Sequence, residues 1–178
     1  MNKQGSVLRR PRTLAICACL TALALALSYC ERFIPVGALI PLPGIKLGLA
    51  NIVTLFALFA LGRRYALAVM LTRCLLSAIF SGQPMALLFS VCGGLLALLA
   101  MSLAMRSRHL SIYGVSILGA AAHNVGQIAA AMLIMHSTAI FYYLSTLLFA
   151  AIITGALTAL AASGVLRALD KSGLLRKK

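Results

Sequence analysis

Seven polar residues stand inside or beside long apolar runs: Glu31, Lys46, Asn51, Arg73, His123, Asn124 and Gln127. Arg73 lies in the middle of ALAVMLTRCLLSAIF. An arginine at the centre of a bilayer costs roughly 2.5–3.5 kcal/mol on insertion scales, so it faces a bundle interior and finds partners. With no acidic residue inside any run, those partners are backbone carbonyls, hydroxyls such as that of Ser77 one turn on, Glu31 at the rim, or a bound anion. The alternative is that the long stem carries the guanidinium out to the membrane surface. His123-Asn124-x-x-Gln127 gathers three polar groups into little more than one turn, with His123 and Gln127 four apart on one helix face. Such a group is either the hydrogen-bonding wall of a binding site or polar glue between helices, worth about 1 kcal/mol per contact.

Residues 31–51, ERFIPVGALIPLPGIKLGLAN, hold Glu31, Lys46 and Asn51 together with three of the five prolines. Pro35, Pro41 and Pro43 lack backbone donors and disfavour helix in the residue before each. Gly37 and Gly44 add permissive turns. The stretch therefore reads as a re-entrant or interfacial loop, a form tolerated at membrane depth only against protein or a cavity. Lys46 falls where a second helix should begin, an end that disfavours cations. It pairs with Glu31 or with an anionic ligand, and Asn51, one turn on, can bond a ligand or a neighbouring helix. On the plainer reading Glu31, Arg32 and Lys46 are interfacial charges in water.

The same inventory excludes several chemistries. No phosphate-binding loop of the Walker type and no Gly-rich dinucleotide fingerprint occurs, so ATP hydrolysis by this chain is not expected. Asp170 is the sole aspartate and lies in the C-terminal tail, so nothing resembles an Asp-rich motif that holds Mg²⁺ against a diphosphate. There is no carboxylate pair for acid–base work. His123 has no acidic or cysteine neighbour at metal-ligand spacing. The five cysteines, Cys17, Cys19, Cys30, Cys74 and Cys92, form no CxxC and read as small membrane-compatible side chains. The expectation is a chain with no catalytic residues, metal or cofactor of its own.

The elements that must position these residues are membrane helices. Of 178 residues, 62% are hydrophobic and 10% charged, with a mean hydropathy of +1.04, too little polar material to cover a soluble domain. Leu and Ala dominate the runs without period-2 alternation, which favours helices over a barrel. Six spans are expected in one membrane domain, 1–178, at about 13–30, 47–61, 65–80, 84–105, 110–136 and 138–166; the second and third are short for a hydrocarbon core of about 30 Å. The N-terminal run imitates a signal peptide, yet its 18 residues, 13–30, suit a retained helix.

The net charge of +14 follows from topology rather than nucleic-acid binding. Thirteen of the sixteen basic residues fall in the tails, 1–12 and 167–178, and in the turns at Arg63-Arg64 and Arg106–Arg108. Only Arg32, Lys46 and Arg73 lie elsewhere. The positive-inside rule then places both termini in the cytoplasm of a multi-pass plasma-membrane protein, with 31–51 outside. The C-terminal segment is expected at the headgroup surface, dipping Leu169, Leu174 and Leu175. Ala18, Ala22 and Ala26, with Ala15 nearby, form a small-residue stripe on the first helix, suited to close approach by another helix, whether its own bundle or a partner.

Tyr29-x-Glu31-Arg32 at the end of the first run, IPLPGIKLGLANI at 40–52 and the HNxxGQ of the fifth run resemble the bacterial Gx transporter family, which also carries the name heptaprenyl diphosphate synthase component I. The likeness covers 14–166, and PGIKLGLAN is its most specific string. The family in turn resembles the substrate-binding S-components of energy-coupling-factor transporters. That resemblance implies a six-helix bundle that binds a small anionic or flavin-like molecule from outside. It also implies docking through Ala18, Ala22 and Ala26 onto a shared transmembrane subunit with two ATPases, and a gate in the first loop. The synthase name implies instead a non-catalytic membrane accessory of polyprenyl or menaquinone side-chain synthesis. An assembly partner within a membrane redox complex is a third reading.

Overall fold

The computed structural model describes residues 9–33, 46, 48–107 and 109–171, the side chains of 9, 10, 32 and 169 excepted. Within them the chain is an all-α bundle: α1 (Arg9–Cys30), α2 (Asn51–Ala60), α3 (Arg63–Ser81), α4 (Pro84–Ala104), α5 (Ile112–Met135) and α6 (Tyr143–Lys171). A 3₁₀ turn, Glu31–Phe33, ends α1, and another, Thr138–Tyr142, leads into α6. Five helices are long and apolar enough to cross a bilayer, and the chain is a multi-pass membrane protein. The expected loop prolines Pro35, Pro41 and Pro43, together with Leu174 and Leu175, lie outside the described residues.

The second helix departs from the expected 47–61. It begins only at Asn51 and runs ten residues, about 15 Å at 1.5 Å per residue, half a hydrocarbon core. Gly48 ends the extension, because its φ of +86° is left-handed and breaks the helical path. Short as it is, α2 touches each of the other five helices. Its Val53, Thr54, Leu55, Ala57 and Leu58 are all buried, so it forms the axis about which the longer helices pack.

Apolar packing concentrates at the end of the bundle that carries the Arg63-Arg64 turn. There Leu55, Ala57 and Leu58 of α2 meet Ala66, Ala97, Leu98, Met101, Val115 and Ala162 from α3, α4, α5 and α6. Arg63 Nη2 donates to the Ser102 carbonyl at 3.0 Å, tying the start of α3 to the end of α4. A second cluster, Phe89, Ile128, Ala131, Ile140 and Leu147, joins α4, α5 and α6 towards the opposite end. The buried polar residues of α2 and α5 begin where the first cluster stops.

The tightest seam is between α4 and α5. A Cβ on Gly126 would stand 2.7 Å from the Cys92 carbonyl oxygen and 2.9 Å from Gly93 Cα, both backbone atoms that cannot swing away. We expect Gly126→Val to force these helices apart and cost about 1–3 kcal/mol or more, an overpacking penalty. Gly164 has nothing within 4 Å of an added Cβ, so Gly164→Ala should be neutral or stabilising by up to about 1 kcal/mol. Thermal unfolding of the two variants in one detergent separates them; equal midpoints would contradict the close seam.

The first helix is the outlier. Among the described elements it touches only α2, α3 and its own terminal turn. Thr21, Ala24 and Ser28 face inward, whereas Ala15, Ala18, Ala22 and Ala26 are exposed.

Candidate functional site

Glu31 is delivered by the last turn of α1 into the bundle, where it is 3% exposed. Its Oε1 accepts the Gly48 N–H at 2.5 Å. Gly48 and the next two residues form the approach to α2, whose first turn is tight: Gly48 O accepts Asn51 N–H at 2.8 Å. A carboxylate therefore meets the donor-rich start of α2, where unpaired amides and the helix dipole both favour negative charge. Ala50 at the cap has no side chain able to do this. Burial pushes the Glu31 carboxyl above its ordinary range, and the Gly48 N–H and the charges of Lys46 and Arg73 oppose that push.

Lys46 is half-buried, and its Nζ donates to Ser77 Oγ at 3.4 Å. Arg73 is 2% exposed, so it does not reach the membrane surface. Its partner is not Ser77 one turn on but Ser28 of α1, whose Oγ accepts from Nη1 at 3.3 Å. Arg73 Nε and Nη2 have no hydrogen-bond partner among the described residues. The two cations lie near enough for their fields to act on both Glu31 and His123.

His123 and Gln127 stand on the inward face of α5, both almost completely buried. Gly93 of α4 leaves room for them: a Cβ there would be 2.9 Å from His123 Cε1 and 2.9 Å from Gln127 Cγ. Gly48 does the same from the other side, its Cβ position lying 3.0 Å from His123 Cδ2 and 2.9 Å from Asn51 Nδ2. The imidazole is thus wedged between two glycines with the Asn51 amide beside it. Neither ring nitrogen has hydrogen-bond geometry to a described residue, although the Gly93 backbone lies close to the ring. Asn124 turns away towards α6, donating to the Leu147 carbonyl at 2.7 Å.

The seven candidates therefore divide. Glu31, Lys46, Asn51, Arg73, His123 and Gln127 converge on the interior around the start of α2, and Asn124 fastens α5 to α6. Ser28, Gly48 and Gly93 complete the surroundings and do not stand out in sequence. On α1, the inward Thr21, Ala24 and Ser28 at helical spacing are the signal that would find the Arg73 partner.

Twelve buried side-chain nitrogen and oxygen atoms lack a partner among the described residues, and eight of them belong to Asn51, Arg73, His123 and Gln127. Each unpaired buried group costs about 1–3 kcal/mol, so such a concentration works against stability. Among the described residues the interior there offers spare donors on Arg73, Asn51 and Gln127, amide oxygens that can accept, and two cations against one carboxyl group. No group of three or more metal-ligating side chains forms among the described residues. The exposed cysteines Cys19, Cys30 and Cys92, the half-buried Cys17 and the buried Cys74 are all free.

No curated protein and no solved structure matches the chain. A family model described as heptaprenyl diphosphate synthase component I matches residues 20–165, from the second half of α1 to the last turns of α6, and so takes in Glu31, the start of α2, Arg73 and the polar face of α5. The chain belongs to the heptaprenyl diphosphate synthase component I family.

Proposed function

We propose that this chain is the substrate-binding membrane subunit of a transporter and takes up a small anionic or flavin-like molecule from the outer side. The observation that carries this reading is the convergence of Arg73, Asn51, His123 and Gln127, all buried and rich in unpaired polar atoms, at the centre of a multi-pass bundle. The apolar cluster around Leu55 and Met101 fills the end marked by Arg63-Arg64, the end that this reading puts in the cytoplasm in keeping with the positive-inside rule. Coupling would come from partner subunits, an energy-coupling transmembrane protein and its ATPases. The exposed Ala18, Ala22 and Ala26 on the otherwise lightly packed α1 supply the surface they would approach. Both termini are then cytoplasmic, in the plasma membrane.

Native mass spectrometry of the full chain released from its own membranes tests this reading. The expected result is a one-to-one adduct of an anionic small molecule, reduced at least about tenfold in occupancy by Gln127→Ala, as loss of a hydrogen bond to a charged group implies. A chain that carries no adduct and binds no added flavin mononucleotide would overturn it.

The description of the matched family favours a second reading, a non-catalytic membrane accessory in polyprenyl diphosphate synthesis. Co-purification with a soluble Asp-rich synthase, with altered product chain length on deletion of this chain, would support it. Co-purification with ATPase subunits instead would reject it.

A further inference from the structure

The chain carries sixteen basic residues and two acidic ones, and one of those acids, Glu31, is buried beside the start of α2. Most of its cations must therefore find their counter-charge outside the chain. At one place two of them share a cleft with apolar side chains. A groove of about 310 Å³ is walled by Arg63, Arg64 and Leu67 of α3 and by Leu95, Leu99 and Ser102 of α4. These residues are ordered along the two helices. Arg63 and Arg64 begin α3, and Ser102 lies in the last turn of α4. Leu67 is one turn further along α3. Leu99 and Leu95 lie about one and two turns back along α4, the second about 10 Å from Ser102 at 1.5 Å per residue. The groove thus has cations at its mouth and leucine along its length, and Leu95 and Leu99 are exposed on a helix long enough to cross the bilayer. Arg63 is fixed across the mouth, because its Nη2 donates to the Ser102 carbonyl at 3.0 Å. Arg64 is exposed beside it. A guanidinium held in this way is pre-organised for a phosphate, which it grips through paired N–H groups.

We propose that this groove binds an anionic phospholipid of the bilayer, with its phosphate held by Arg63 and Arg64 and the first part of an acyl chain lying along Leu67, Leu99 and Leu95. The groove shares no residue with the polar interior around Glu31 and Arg73, and the proposal holds whether or not the chain serves a transporter. Charge complementarity selects the occupant. Cations stand at one end of the groove and exposed leucine fills the rest, which is the polarity of a phospholipid lying along a span. Basic clefts between spanning helices take anionic headgroups on the same physical grounds.

The chain contains no tryptophan, so a single introduced indole reports alone. Leu103→Trp places one four residues beyond Leu99, on the same exposed face of α4. Val165→Trp places another at an exposed position of α6, two residues from Arg167. Ala162, one turn away, packs in the apolar cluster at the Arg63-Arg64 end, so both reporters sample that end of the bundle. Each full-length variant is placed in nanodiscs of phosphatidylcholine with increasing amounts of phosphatidylglycerol whose brominated acyl chains quench a neighbouring indole. Leu103→Trp should reach half-maximal quenching at least about fivefold earlier in phosphatidylglycerol than Val165→Trp, the gain that one basic residue at an anionic headgroup implies. Arg64→Gln in the Leu103→Trp background should remove about that factor, whereas Arg106→Gln should leave it. Arg64 and Arg106 are both exposed, so the two substitutions change the net charge equally without disturbing the core. Glycerol phosphate in excess should not relieve the quenching, because it brings no chain to the leucines. Equal quenching of the two reporters, or an equal loss from Arg64→Gln and Arg106→Gln, would mean that lipid gathers by general surface charge and would overturn the proposal. Relief by glycerol phosphate would reduce the groove to a phosphate contact and overturn it as well.

Discussion

Arg73→Ala is expected to abolish ligand binding while leaving the protein inserted and at least as stable as wild type. The two effects have opposite signs because the residue has two costs. Its guanidinium is 2% exposed and only Nη1 is bonded within the described residues. Keeping an arginine at membrane depth costs roughly 2.5–3.5 kcal/mol on insertion scales, and one bond to a serine does not offset it. Alanine relieves that cost. A bound anion, however, loses its buried charge partner, a change worth about 2–5 kcal/mol, or at least about a thirtyfold loss of affinity. Ligand titration and thermal unfolding on the same preparation read both signs. Undiminished binding would remove Arg73 from the site. A large loss of stability would mean that it is a structural bond to Ser28 and nothing more.

Gly48→Ala should damage fold and site together. The residue's φ of +86° is unfavourable for any side chain, at about 1–2 kcal/mol. The added methyl would also stand 2.9 Å from Asn51 Nδ2, closer than real contacts, and 3.0 Å from His123 Cδ2, tighter than most of them. Either the amide and imidazole shift, or the approach to α2 lifts away and breaks the Gly48 N–H to Glu31 bond. A total of about 2–4 kcal/mol is expected from strain plus overpacking, with ligand affinity falling at least about tenfold. Thermal unfolding paired with ligand titration measures it. A variant matching wild type in both would show that Gly48 does not press on His123.

Much of this architecture was legible because a bilayer makes sequence easy to read. Uninterrupted Leu and Ala runs mark spans, and Arg73, His123 and Gln127 stand out within otherwise largely apolar stretches. Which helices meet was not legible. Arg73 bonds Ser28 across the α1–α3 seam rather than Ser77 on its own helix, because helix pairing depends on side-chain shapes that hydropathy does not encode. Asn124 could not be separated from His123 and Gln127, since a difference of one residue turns a side chain by about 100° and only the position of α6 decides its partner. The length of α2 was overestimated because Leu47, Leu49 and Ala50 continue the apolar run past the point where Gly48 breaks the helix. Gly93 and Gly126 gave no signal, since glycine is common in membrane helices and its use here is visible only against Cys92, His123 and Gln127.

The ten-residue α2 carries a consequence for biosynthesis. At about 15 Å it is too short to be recognised by the insertion machinery as a span in its own right, a task that takes roughly 17–25 residues. Leu61 and Gly62 alone separate it from α3, and on the topology proposed above Arg63 and Arg64, the first residues of α3, stay on the side of synthesis. On that topology it is expected to enter the membrane as the passenger half of a hairpin drawn in by α3. The Gly48 N–H just ahead of it bonds Glu31, which follows directly on α1. The order of synthesis thus supplies the carboxylate before the helix that depends on it.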